Sequence, residues 1–292
     1  MPSLKEVRNK IVSVGSTMQI TSAMKMVSAA KLKRAQDAIT QMRPYAGKLR
    51  EMLENVSASV DASENIYART TPKLKKVLIV ALSSNRGLAG AFNSNVIRKT
   101  NSLIKGEYAE CDVTVLSVGR KVNEAFRRTK YGILGSDLPH HTNELYDKLT
   151  FDNVAPVAQK LMDAFTSGEF DRVVVVYNQF KNAAMQTTVE EQLLPIVPAA
   201  SEGSSRTDYI FEPSQQYIVD ELIPRTIKIQ FYKALLDSFA SEHGARMTAM
   251  HKATDKAKAL QSDLRITYNK ARQAAITKEI LEIVAGAEAL NG

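Results

Sequence analysis

The sequence predicts an α/β protein: a long antiparallel coiled coil made by its two ends, and between them a domain with a mostly parallel sheet. Three observations predict it. From Leu4 one heptad register runs through Val7, Ile11, Val14, Met18, Thr21, Lys25, Ser28, Leu32, Ala35, Ile39, Met42, Ala46, Leu49, Leu53, Val56 and Val60. Of these seventeen positions only Thr21, Lys25 and Ser28 are not apolar. At the other end, residues 232–290 lack proline, and apolar or small residues return at alternating three-and-four spacing. That spacing is the mark of a helix with a narrow apolar seam. In the middle, short apolar runs alternate with helical patterns, as in a sheet covered by helices.

The elements follow in chain order. Ser3 and Glu6 form an S-x-x-E capping box ahead of the first apolar position. The first helix is expected to reach about residue 58, with Pro44 kinking it or ending a first segment near Arg43. Residues 61–75 read as a polar linker. KVLIVAL (76–82) has the continuous apolar character of a buried parallel strand. A glycine loop leads from it into a helix at 89–105. DVTVLSVG (112–119) is a second strand, with a helix at 120–129 after it and a long polar loop at 132–150. A helix at 152–167, a third strand at 172–180 (RVVVVYNQF) and an alternating edge strand at 185–196 complete the middle. Strand–helix alternation of this kind gives a Rossmann-like α/β domain.

Residues 199–208 read as a flexible loop, and a last helix is expected over 213–287, roughly 110 Å long at 1.5 Å per residue. Its seam reads Ile229, Tyr232, Leu236, Phe239, Met250, Ala253, Ala257, Leu260, Leu264, Ala271 and Ala274, broken by His243, Arg246 and Thr267. The chain thus divides into an N-terminal coiled-coil helix (1–60), a central domain (72–200) and a C-terminal coiled-coil helix (210–292). The central domain, with its own strands and helices, is expected to fold without the coil.

Charge separates the regions further. The net charge is +8. Residues 1–50 hold ten Lys/Arg against Glu6 and Asp37, and residues 240–278 hold eight against three acids. Both basic tracts fall on the coil, and with so few acids few i,i+4 pairs can form there. A basic rod suits nucleic acid, an anionic membrane surface or an acidic protein cavity. The N-terminus is basic and poor in acids, as transit peptides are. Its unbroken heptad argues against cleavage and for an intracellular protein. No run of 18 apolar residues is present to span a membrane.

Catalytic chemistry is not evident. Cys111 is the single cysteine, so an internal disulfide and a cysteine zinc site are excluded. His140 and His141 are adjacent and point to different sides; they make no helical metal pair. His243 and His251 receive no role. The loop LSSNRGLAGAFN (82–93) sits where a nucleotide phosphate would, between a strand and a helix, but its spacing fits neither G-x-G-x-x-G nor a P-loop. No catalytic, cofactor-binding or metal residue is expected. Residues 1–44 hold no aromatic for base stacking. A scaffold binding RNA or an anionic surface is the alternative left by composition.

Three stretches carry a resemblance. ITSAMKMVSAAKLKRAQ (20–36), SSNRGLAGAFN (83–93) and the C-terminal run containing SEHGARMTAMHKATDKAKAL and YNKARQAAIT are similar, in this order, to the gamma subunit of F-type ATP synthases. The chain departs from the usual S-D-R-G-L-C-G-x-F-N at Asn85 and Ala89, and from A-T-D-N at Lys256. The resemblance implies a non-catalytic rotor without cofactor, on the cytoplasmic face of a bacterial inner membrane and bound there only through its complex. The missing transit peptide and the missing cysteine pair of the chloroplast form imply the bacterial type. Implied partners are the alpha and beta subunits, the epsilon subunit and the c-subunit ring; no nucleic acid is implied. Met24, Lys25, Arg246, Gln273, Thr277 and Glu282 match positions that meet the alpha/beta hexamer. Tyr209, Phe211 and Glu212 match the segment that meets epsilon and the c ring.

One irregularity has two readings. At Thr21, Lys25 and Ser28 the heptad turns polar while Ile20, Met24 and Val27 beside them are apolar. Either a stutter rotates the seam and buries Met24 against the C-terminal helix, or the seam is imperfect there and Lys25 and its neighbours face the enclosing subunits.

Overall fold

The computed structural model describes residues 3–59, 66–69, 71, 73–133, 138–139, 142–196 and 218–291. His140 and His141 lie outside them. The chain forms two compact units: Met1–Ser28 with Met247–Gly292, and Ala29–Arg246.

Helix α1 spans Leu4–Ser59. The Glu6 amide donates to Ser3 Oγ at 3.2 Å, so the serine caps the helix as its place in the sequence predicts. Pro44 lies inside α1 and does not end it. A proline removes one helical hydrogen bond, but beyond it Ala46 and Leu49 are buried against Ile229. That packing holds the turn just beyond the proline in place.

The second unit contains the sheet. Strand β1 (Lys76–Leu82) is followed by α2 (Phe92–Lys105), β2 (Asp112–Val118), α3 (Arg120–Phe126), α4 (Phe151–Thr166), β3 (Arg172–Phe180) and β4 (Gln186–Leu194). The strand order is β2-β1-β3-β4. β1 pairs in parallel with β2 and β3, and β4 closes the edge antiparallel to β3. α2 starts three residues later than the pattern suggests, because Leu88 and Gly90 have φ of 62° and 58° and cannot belong to a right-handed helix. α3 stops at Phe126, three residues early.

Each strand side chain goes to the face its parity dictates. Val77, Ile79 and Ala81 pack with Val96, Leu103 and Ile104 of α2 and Val122 and Phe126 of α3. Leu78, Val80 and Leu82 face the other way, onto Ala158, Leu161 and Phe165 of α4. That second face is completed from the far end of the chain. Helix α5 spans Ile223–Asn291, after one π-helical turn at Ile218–Leu222. Its Ile223, Ile227, Phe231 and Leu235 are fully buried in the same core as β1 and β3. Boundaries drawn at 72 and 200 leave these four residues out of the core they help to form.

The first unit is a pair of helices, α1 up to Ser28 and α5 from Met247. Thr21 Oγ1 lies 2.8 Å from Thr254 Oγ1, and a Cβ on Gly15 would lie 2.9 Å from Gln261 Nε2. As the number rises on one helix it falls on the other, so the pair is antiparallel. On α1 the buried and half-buried positions follow the heptad through Leu4, Val7, Ile11, Val14, Met18, Thr21, Lys25 and Ser28. On α5 they follow Met250, Thr254, Ala257, Gln261, Leu264, Tyr268, Ala271 and Ala275. The expected α5 seam therefore holds at Ala257, Leu264 and Ala271 and is off by one residue at Leu260 and Ala274. Leu260 is 49% exposed, and Ala274 is exposed too. Gln261 takes the seam position because Gly15 opposite it has no side chain.

Candidate functional site

In the two-helix unit, the polar break does not rotate the seam. Thr21 and Ser28 are buried and Lys25 half-buried, while Ile20 and Val27 are 60% and 58% exposed. Met24 is half-buried. The two hydroxyls are in hydrogen-bond contact across the seam, and each also reaches a carbonyl one turn back on its own helix: Thr254 Oγ1 that of Met250 at 2.8 Å and Thr21 Oγ1 that of Met18 at 3.1 Å. Neither hydroxyl is left without a partner. A polar pair in a seam costs stability and fixes register. The apolar side chains displaced from the seam are turned outward: Val12, Ile20, Met26 and Val27 all stand more than half exposed. Towards the end of α5 the pattern repeats, with Ile276, Ile280, Leu281, Ile283 and Val284 exposed.

Gln273, Thr277 and Glu282 lie on this exposed stretch. Gln273 and Thr277 are four residues apart and share a face. Glu282, nine residues from Gln273, is half a turn away at about 100° per residue. They surround the helix and do not make one patch. Thr277 donates back to the Gln273 carbonyl at 3.0 Å, and Glu282 pairs loosely with Lys278 at 3.5 Å. Tyr209, Phe211 and Glu212 lie outside the described residues.

Arg246 belongs to the other unit and is not at its surface. It is 6% exposed. Its Nη1 donates to Glu242 Oε1 at 2.5 Å, and Nη2 to the carbonyls of Arg86 and Gly87 at 3.1 and 3.3 Å. Burial raises the Glu242 carboxyl pKa, and the Arg246 charge works against that rise. One turn away, Arg43 holds the buried Asp237 at 3.2 Å and donates to the Phe180 carbonyl at 3.0 Å. Burial raises the Asp237 pKa too, with Arg43 opposing. Gly244 allows α5 to come against the β3–β4 turn, since a Cβ there would lie 3.3 Å from the Ala183 backbone.

His243 is the residue that sequence reasoning missed. It is 5% exposed, neither ring nitrogen has a hydrogen-bond partner, and its ring meets Phe239 edge-on at 4.5 Å. Burial, with the charges of Arg246 and Lys31, lowers its pKa to about 3. A lone histidine on a polar stretch gave no signal of this, because the burial comes from chain far away in sequence.

The glycine loop beside this cluster is tied down by side chains. The Ser84 amide donates to Asn93 Oδ1 at 3.0 Å and Ser84 Oγ to the Arg86 carbonyl at 2.6 Å. Asn85 donates to the Asn143 carbonyl at 2.8 Å and accepts from the Arg120 amide at 3.1 Å. An aspartate in its place could accept but not donate. The departure at Asn85 thus carries a bond across to the 143–146 turn. Among the described residues no cluster of His, Cys, Asp or Glu could hold a metal ion, and no helix is long and apolar enough to cross a membrane.

Comparison with known proteins decides what such an arrangement is for. A family described as ATP synthase matches residues 3–290. The ATP synthase gamma chain of Flavobacterium johnsoniae is 58% identical, and that of Christiangramia forsetii 54%, each over the whole of both chains. The chain belongs to the gamma-subunit family of the F-type ATP synthase. Gamma subunits are the central rotor of that complex and are not catalytic, and the chain shares this role. Solved gamma-like chains agree in fold. One lies in the central stalk and c-ring of Tetrahymena thermophila mitochondrial ATP synthase (TM-score 0.56, 25% identity, 80% of this chain and 99% of that one). Another lies in the rotor of the Euglena gracilis mitochondrial enzyme (TM-score 0.65, 22% identity, 94% and 98%).

Proposed function

We propose that this gamma subunit turns inside a hexamer of alternating alpha and beta subunits and is driven by the c-subunit ring. The two-helix unit meets alpha and beta. The segment carrying Tyr209, Phe211 and Glu212 meets epsilon and the ring. The observation that carries this reading is the surface of the two-helix unit. Its seam is narrow, polar side chains occupy part of it, and large apolar side chains are turned outward along both helices. Such a surface is unsatisfied in water and suited to an enclosing protein. The same imperfection supplies asymmetry. A bound rod changes a catalytic site only through different contacts with that site's different states. A rod alike on all sides could not set three sites to three affinities.

In this reading Met24 and Lys25, half-buried on the polar stretch, present their outer edges to a beta subunit. Gln273, Thr277 and Glu282 meet the surrounding ring from several sides. Attachment to the membrane runs through the complex, at its cytoplasmic face, and proton flow is the driving force. Family membership sets aside the scaffold for RNA or an anionic surface.

Co-expression with the alpha, beta, epsilon and c subunits tests the reading. The chain should purify with three copies each of alpha and beta. The assembled complex in vesicles should pump protons on addition of ATP. Recovery of the chain without alpha and beta, or hydrolysis with no pumping, would overturn it.

A further inference from the structure

We propose that Arg43 is a torque strap: by bonding both Asp237 of α5 and the end of β3, it makes α1, α5 and the sheet turn as one body when the rotor is under load. It is a positioning residue and acts through bonds inside this chain. The inference rests on the rotor reading above and goes beyond it, since Arg43 is not among the positions matched to family contacts.

Three observations lead there. First, Arg43 joins three elements through one atom. Its Nη2 carries two hydrogens and donates to Asp237 Oδ1 at 3.2 Å and to the Phe180 carbonyl at 3.0 Å. Phe180 is the last residue of β3, Asp237 lies on α5 and Arg43 on α1. The rest of α1 in this unit is held differently. Leu32, Ala35, Ile39, Ala46 and Leu49 are buried along one stripe. Such burial holds a helix down but has no direction of its own. Hydrogen bonds have direction, so they oppose a roll or a slide that a stripe allows.

Second, the pair costs stability. The Asp237 side chain is 1% exposed and its Oδ2 has no hydrogen-bond partner. Burial pushes its pKa up, against the charge of Arg43. An apolar residue in its place would serve packing as well or better. A buried charge kept at such a place points to what apolar packing does not give, a fixed direction.

Third, the strap sits at a weak turn of the helix it holds. Pro44 follows Arg43 inside α1 and has no amide to bond back to the Thr40 carbonyl. A helix bends most readily where a bond of its own is missing. Helix α5 has polar ties to the domain from its own side chains. Lys233 lies 3.7 Å from Glu191 of β4, and Arg246 bonds the loop after β1. On α1, Arg43 makes the matching tie, beside the proline.

The test measures how large a proton gradient the reassembled complex builds by ATP hydrolysis in closed vesicles. The load on the rotor grows with the gradient. A loosened joint therefore shows as a lower final gradient at an unchanged initial pumping rate. As a free chain, Arg43→Met should melt about 5 °C lower, because Asp237 is left buried without its partner. In the complex it should start to pump normally and stop at a lower gradient. Two controls separate direction from stability. Arg43→Met combined with Asp237→Leu removes the buried charge as well; it should regain the melting temperature and still stop early. Leu49→Ala takes apolar packing from the same helix; it should melt lower too, yet build the full gradient. A full gradient in Arg43→Met, or an early stop in Leu49→Ala, overturns the proposal. So does a double variant that regains the gradient together with its melting. If the double variant does not assemble, Arg43→Met against Leu49→Ala decides alone. An unaltered complex that fails to pump overturns the rotor reading and the strap with it, whereas the outcomes above overturn the strap alone.

Discussion

Helix α5 is one element with two occupations. Between Ile223 and Arg246 every position but Arg225 is buried or half-buried; among the residues described from Met247 onward only Met250 and Ala257 are buried. In the first stretch the helix is part of a core and takes apolar residues on all sides, with Ser238, Ser241, Glu242 and His243 enclosed among them. In the second it touches one other helix along a single stripe. Most helical stability comes from packing of an apolar face, and a single stripe interrupted by polar side chains supplies less of it than a core does. The comparison teaches that the chain keeps its own stability in the domain unit. The two-helix unit is left to be completed by other proteins.

The largest expected effect breaks the comparison at its root. A fragment of residues 29–246 should unfold in one cooperative transition in denaturant, and a fragment of residues 72–200 in none. The shorter one lacks Ile223, Ile227, Phe231 and Leu235 and would expose the sheet face they cover. Each such side chain is worth about 1.5–3 kcal/mol of burial. Cooperative unfolding of the 72–200 fragment would show that α5 merely rests on a finished domain.

A smaller effect depends on pH. The pKa of His243 falls from 6.5 to about 3 on folding. The unfolded chain therefore takes up a proton first as pH drops, and the stability present above pH 6.5 is lost progressively down to about pH 3. At about 1.4 kcal/mol per unit the loss from pH 6.5 to pH 4 is at most about 3 kcal/mol. Asp237 and Glu242, whose pKa values rise, oppose it. His243→Leu should flatten this acid limb in melts of the whole chain between pH 4 and 7. An unaltered limb would mean that the imidazole is charged or hydrated in solution.

The smallest effect on stability belongs to the seam. Lys25→Leu should stabilise the two helices by under about 1 kcal/mol, since it makes one seam position apolar. It should nevertheless lower the pumping-to-hydrolysis ratio of the assembled complex. Unchanged coupling would sharpen the comparison in the other direction, by making the polar seam a matter of register alone.

Much of this was readable from residues. KVLIVAL and RVVVVYNQF are buried on both faces, and such runs announce themselves; β1 and β3 begin and end where they do. The α1 heptad carries through the polar break because the register is set by many positions and three polar ones do not reset it. What failed to show was what depends on distant chain. Gln261 is a seam residue only because Gly15 faces it. His243 and Arg246, read as interruptions of a seam, are interior groups because strands and loops far away in sequence enclose them. The contact role of Arg246 came from family likeness, and family likeness does not say which way a side chain points.

The exposed apolar side chains near the end of α5, Ile276, Ile280, Leu281, Ile283 and Val284, have a consequence for the cell that makes the chain. A copy without partners presents them to every other protein around it, and such stripes invite aggregation and capture by chaperones and proteases. A copy made in excess of its partners is thereby marked for removal. The fate of the chain is then tied to the supply of its partners in the complex, and one surface both serves assembly and keeps the numbers of the chain matched to theirs.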